Sequence, residues 1–131
     1  WLNSIKSFDL KAPNSLLNKS KYIQHHKKME DKINFYCNLS QNYTIEKNDN
    51  KFYFFNPFSV QIFMKVIENI LISYEENPRD MDLIIYYPND DYIQFLEYRT
   101  PFILEKEIIL KDLYKNDDKE KFVVYSLKTN L

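Results

Sequence analysis

The chain has 131 residues, enough for one domain with a real core, so a single domain spanning 1–131 is expected. Hydrophobic residues make up 44% and charged residues 28%, a balance that excludes intrinsic disorder. With 18 basic and 19 acidic residues the net charge is −1, so no overall positive field draws in nucleic acid or an anionic membrane surface.

No run approaches the ~18 apolar residues that a membrane span needs, and no targeting segment is visible. The single cysteine, Cys37, cannot form an internal disulfide. Together these features predict a cytoplasmic protein.

In chain order, residues 1–17 reach a turn signal at Pro13-Asn14, and Ser15, Leu16 and Leu17 read as the start of a strand that does not continue. Residues 18–32, "NKSKYIQHHKKMEDK", suit a surface helix with a shallow apolar stripe at Tyr22, Ile23 and Met29. "INFYCN" (33–38) and "KFYFFN" (51–56) have the aromatic and β-branched bias of strands buried on both faces.

The clearest periodicity runs over residues 59–76. Val60, Phe63, Met64, Ile67, Ile70, Leu71 and Tyr74 share one face of an amphipathic helix, with Ser59 as N-cap and Pro78 beyond its end. "MDLIIYYP" (81–88) is a further buried strand, so the helix is the crossover of a right-handed parallel unit. A short helix is expected over 92–98. The strands 101–110 and 121–127 then form an antiparallel hairpin at a sheet edge, with "KNDDKEK" as its solvated tip.

Two oddities remain: glycine is absent, although ~7% usage would give about nine, and the first residue is Trp1. Cofactor-binding α/β domains use glycine where backbone approaches a phosphate or cofactor.

The order of strand, "FFNPFS" (54–59), amphipathic helix, strand, short helix and long hairpin resembles the C-terminal half of class I S-adenosylmethionine-dependent methyltransferases. The resemblance covers about 33–127 and implies an α/β, Rossmann-like, mostly parallel sheet with helices on its faces and a C-terminal antiparallel hairpin. Amino-group methyltransferases carry an Asn/Asp-Pro-Pro-aromatic tetrad at the end of their fourth strand. Asn56-Pro57-Phe58 falls there, one proline short.

The resemblance implies that Asn56 orients an amino-type or other polar acceptor, Pro57 presents its carbonyl, and Phe58 packs against acceptor or sulfonium. The cofactor would be S-adenosylmethionine. Its adenine amino group would meet "CNLSQ" (37–41), which offers the neutral Asn38, Ser40 or Gln41 instead of a carboxylate. The family's first strand, glycine-rich loop, helix and second strand have no counterpart. A unit of roughly thirty residues is therefore expected between Leu17 and Asn18, making the domain discontinuous at 17/18.

Each feature also has a plainer reading. Pro57 can simply end the strand while Ser59 caps the helix and Asn56 tolerates the turn. Adjacent His25 and His26 point apart on a helix and read as solvated surface; no metal site is expected. Cys37 reads as a small buried hydrophobe, the 11 tyrosines and 10 phenylalanines as mostly core, and "NDDYIQ" (89–94) as a capped turn or a substrate-facing loop. The functional alternative is a non-catalytic interaction domain that keeps the second half of the fold without cofactor binding.

Overall fold

A computed structural model describes residues 33–110 and 117–130. The helix expected at 18–32, the strand start at Ser15, His25, His26 and the 17/18 junction lie outside the described residues.

The elements run β1 (Lys51–Phe55), α1 (Val60–Glu76), β2 (Met81–Tyr86), α2 (Asp90–Arg99), β3 (Ile103–Ile109) and β4 (Lys121–Leu127), preceded by a 3-10 turn at Ser40–Asn42. The strands form one four-stranded mixed sheet in the order β1-β2-β4-β3. β1 and β2 are parallel, as expected of strands joined by a crossover helix, whereas β4 is antiparallel to both β2 and β3.

The chain is therefore mixed α/β, and the expected mostly parallel sheet is corrected to one parallel and two antiparallel pairings among the described residues. The expected antiparallel hairpin does form one edge of the sheet. Its second strand takes the place beside β2, and β3 becomes the exposed edge, interrupted by a register shift between Leu104 and Lys106. Such a bulge suits an edge strand because it spoils the edge as a template for further pairing.

Strand alternation explains the core. Phe54 on β1, Met81, Leu83 and Ile85 on β2, and Val123, Tyr125 and Leu127 on β4 project to one face. There they meet Phe63, Val66, Ile67 and Ile70 of α1 and Tyr92 and Leu96 of α2. Each fully buried aliphatic or aromatic side chain contributes about 1.5–3 kcal/mol of hydrophobic stabilisation before conformational entropy is deducted. The two helices meet where Tyr92 stacks on Phe63, ring centroids 3.9 Å apart and planes within 3°.

Three sequence-based expectations are overturned here. Residues 33–38 form no strand: the segment is largely exposed and has no ladder partner among the described strands, which aromatic and β-branched composition cannot replace. Cys37 is accordingly exposed, not buried. β1 is fully buried only at Phe54, with Phe52 and Tyr53 half-buried and Phe55 exposed, whereas β2 is buried along most of its length.

At the amino ends of β1 and β2 the opposite face carries charge. Asp82 pairs with Lys51, accepts a hydrogen bond from the Ser126 hydroxyl at 2.6 Å, and has Lys128 3.7 Å away. Burial pushes its carboxyl up, but the hydrogen bonds from Lys51 and Ser126 and the two ammonium charges outweigh burial and hold it below the usual carboxylate value. This cluster stands at the far end of the sheet from the cleft described next.

Candidate functional site

The parallel pair sets the geometry of the site. Phe55 and Tyr86 are register partners, so the residues that follow them, Asn56 and Tyr87, leave adjacent strands side by side. Both have positive φ, 34° and 52°, and they are the only such residues among those described.

Left-handed backbone costs an L-residue roughly 1–2 kcal/mol, with asparagine among the more tolerant types. Glycine would be the ordinary choice, but the chain has none. Each of these residues is followed by proline, Pro57 or Pro88, whose ring disfavours right-handed helical geometry in the residue before it. Two matched corners thus end the two parallel strands. Tyr87 is held in its corner by its backbone N–H donating to the Lys121 carbonyl at 3.0 Å and its hydroxyl donating to Asp117 Oδ2 at 2.8 Å.

Between the corners and the β3–β4 connection lies an open cleft of about 600 Å³, lined by Phe55, Asn56, Pro57, Tyr86, Tyr87, Asp117 and Glu120. That volume falls in the range of small-molecule sites, and the position is where open α/β sheets bind ligands, at the carboxyl ends of parallel strands. The Phe55 and Tyr86 rings lie 4.9 Å apart, and Phe122 continues the row 4.8 Å beyond Tyr86.

Two carboxylates stand at the hydroxyl ends of the two tyrosines. Glu120 accepts from the Tyr86 hydroxyl, and Asp117 accepts from Tyr87 and, through Oδ1, from the Lys119 backbone N–H at 3.0 Å. The Lys119 ammonium turns to Asp90, 3.7 Å away. The hydrogen bond to Asp117 first, then loss of hydration and the charges of Asp117, Glu120 and Asp118, hold the Tyr87 phenol above its ordinary value.

The expected site residues separate in space. Asn56 and Pro57 line the cleft; the Asn56 side chain is exposed and makes no hydrogen bond to another described residue. Phe58 turns inward. Its ring meets Phe54 edge-on at 6.2 Å, its N–H donates to the Tyr92 hydroxyl oxygen at 3.3 Å, and its carbonyl accepts from the same hydroxyl. Ser59 occupies the N-cap position without a side-chain cap, and its carbonyl accepts from the Phe63 N–H at 3.0 Å.

Asn38 and Ser40 are elsewhere. Asn38 Oδ1 accepts from the Leu39 N–H at 2.9 Å, while the buried Ser40 Oγ has no partner. Their turn is anchored on α1, where Asn69 Nδ2 donates to the Gln41 carbonyl at 2.9 Å. Asn69 is ten residues beyond Ser59, roughly 15 Å down the helix from the cleft at 1.5 Å per residue.

Sequence reasoning missed Tyr86, Tyr87, Asp117 and Glu120. The tyrosines read as the end of a buried strand and the acids as a solvated tip; the latter is corrected, because both carboxylates fold back to accept tyrosine hydroxyls. A signal was present: "YYP" closes β2 as "FNP" closes β1. No family model matches the chain, and neither a curated protein nor a solved structure does.

Proposed function

We propose that this chain is a Rossmann-like, class I methyltransferase-type domain, acting in the cytoplasm, whose cleft holds the methyl acceptor of an S-adenosylmethionine-dependent transfer. The observation that carries this reading is the pair of left-handed corners, Asn56-Pro57 and Tyr87-Pro88, opening a 600 Å³ cleft at the carboxyl ends of parallel strands. Asn56 supports it further, since its unengaged amide oxygen at the rim is free to accept an N–H from an amino-type acceptor. An exposed, free Cys37 is in keeping with a reducing compartment.

The described residues fit a cationic methyl donor at its sulfonium end, because aromatic faces and carboxylates both favour positive charge. When bound, S-adenosylmethionine supplies an electrophilic methyl group. The chain's own residues supply position: Phe55 and Tyr86 offer neighbouring rings tilted by 42°, Asn56 and the Pro57 carbonyl take acceptor N–H groups, and Tyr92 fixes the corner from below through Phe58. In-line displacement needs little else from a protein.

One observation favours a second reading, a non-catalytic interaction domain. Asn38 and Ser40, the residues expected at the adenine, stand roughly 15 Å down α1 from the cleft. Calorimetric titration of the full chain with S-adenosylmethionine separates the two, followed by transfer of labelled methyl to a panel of amines. Binding together with transfer that Asn56→Gly abolishes supports the enzyme. Absence of binding overturns it in favour of the interaction domain.

A further inference from the structure

The reading of the cleft as an acceptor site leaves the class of acceptor open, and this inference rests on that reading. The lining is aromatic at Phe55, Tyr86 and Tyr87 and acidic at Asp117 and Glu120, whose carboxylates stand at the Tyr87 and Tyr86 hydroxyls.

No lysine or arginine is among the described lining residues, and the ammonium groups of Lys119 and Lys121, on either side of Glu120 in sequence, are engaged in ion pairs with other residues. Lys119 pairs with Asp90 at 3.7 Å and Lys121 with Glu107 at 2.9 Å. Each carboxylate accepts from a tyrosine hydroxyl, Glu120 from Tyr86 and Asp117 from Tyr87, and Asp117 accepts a second hydrogen bond from the Lys119 N–H. An ionised carboxylate has about four acceptor positions, so both retain capacity toward the cleft. The rise in the Tyr87 phenol comes partly from Asp117, Glu120 and Asp118 and reports the same negative field.

Charge and shape then select together. An anionic ligand meets two carboxylates that form no ion pair among the described residues. A neutral flat ligand gains the aromatic rings but leaves the acids without a donor. A flat cation with several N–H groups gains both, through ring faces that attract positive charge and carboxylates that accept in a plane. We infer that the cleft binds a planar nitrogen cation of the amidinium or guanidinium type, held against the Phe55 and Tyr86 rings with its N–H groups directed to Asp117 and Glu120.

The test uses benzamidine as probe on the full chain, with neutral benzamide and anionic benzoate as shape controls, read by calorimetry and by amide chemical shifts. Benzamidine is expected to bind and to shift the amides of Asn56, Tyr87 and Glu120, with benzamide at least about tenfold weaker, the ratio for losing one charge-assisted hydrogen bond. Glu120→Gln should weaken benzamidine about tenfold while leaving benzamide unchanged, and Phe55→Leu, at an exposed position outside the core, should weaken both by a similar factor.

Equal binding of benzamide and benzamidine, or benzamidine binding that Glu120→Gln leaves intact, overturns the inference. Neither outcome depends on the cofactor. Benzamidine captured by a chain that does not bind S-adenosylmethionine would sink the methyltransferase reading and keep this one, whereas cofactor binding without discrimination between the probes would do the reverse.

Discussion

The Tyr92 hydroxyl on α2 closes a two-way clamp on Phe58, donating to its carbonyl and accepting from its N–H at 3.3 Å, while the same ring stacks on Phe63 at 3.9 Å. The corner that presents Asn56 and Pro57 to the cleft is thus bolted to the core two residues later. Tyr92→Phe keeps the stack and removes the clamp, leaving two backbone groups without their partner. Unfolding by urea should show a loss of about 1–2 kcal/mol, and hydrogen exchange at the Phe58 amide should speed up. An unchanged exchange rate would mean that Pro57 alone holds the corner.

Asn56 permits a cleaner test than alanine replacement. At φ 34° a Cβ is costly, so Asn56→Ala combines loss of the amide with about 1 kcal/mol of backbone strain, whereas Asn56→Gly removes the amide without that strain. Both variants should lose methyl transfer if the amide orients the acceptor, and only the alanine variant should lose stability. Equal turnover per folded molecule in the glycine variant and the parent would leave Asn56 a turn residue and nothing more.

These two corners also show what the sequence could and could not convey. α1 was legible because Phe63, Ile67 and Ile70 repeat at helical spacing, and the parallel β1–β2 pair followed from the crossover that α1 makes. The insertion of β4 beside β2 was not legible, since which strand pairs with which is decided by contacts between distant segments such as Ile85 with Val123. Residues 33–38 misled for the opposite reason: a local aromatic and β-branched bias suggested a strand that no described strand completes. The site itself was half visible. Asn56 and Pro57 carry a local signature, but Asp117 and Glu120 become cleft residues only through hydroxyls some thirty residues away in sequence, at Tyr87 and Tyr86.

Acid should weaken the fold through Asp82. Its carboxyl titrates lower when folded than when unfolded, so the unfolded chain binds more protons as pH falls. The stabilisation is present above the unfolded value of about 3.9 and is lost as pH drops through the folded value. Asp80 acts with the same sign, chiefly because the Thr129 backbone N–H and hydroxyl donate to it at 2.8 and 3.0 Å. Urea midpoints measured from about pH 7 down to about pH 3 should fall steeply in the parent and less steeply in Asp82→Asn. Parallel curves would assign the acid limb to other carboxylates.

Arg79 supplies a contrast, because it stabilises the end of the sheet away from the cleft. Its guanidinium donates to the carbonyls of Glu46, Asp49, Ser73 and Asn77 and to the Ser73 hydroxyl, at 2.8 to 3.2 Å, tying the segment before β1 to the C-terminus of α1. Five donors in one planar fork suit arginine and not lysine, whose three donors leave a single nitrogen. Arg79→Lys should therefore cost about 2 kcal/mol in urea unfolding and speed hydrogen exchange at the Asp49 and Asn77 amides. Because none of these groups lines the cleft, benzamidine affinity should stay at the parent value. A drop in that affinity at constant folded fraction would mean that the two ends of the β1–β2 pair are coupled through α1.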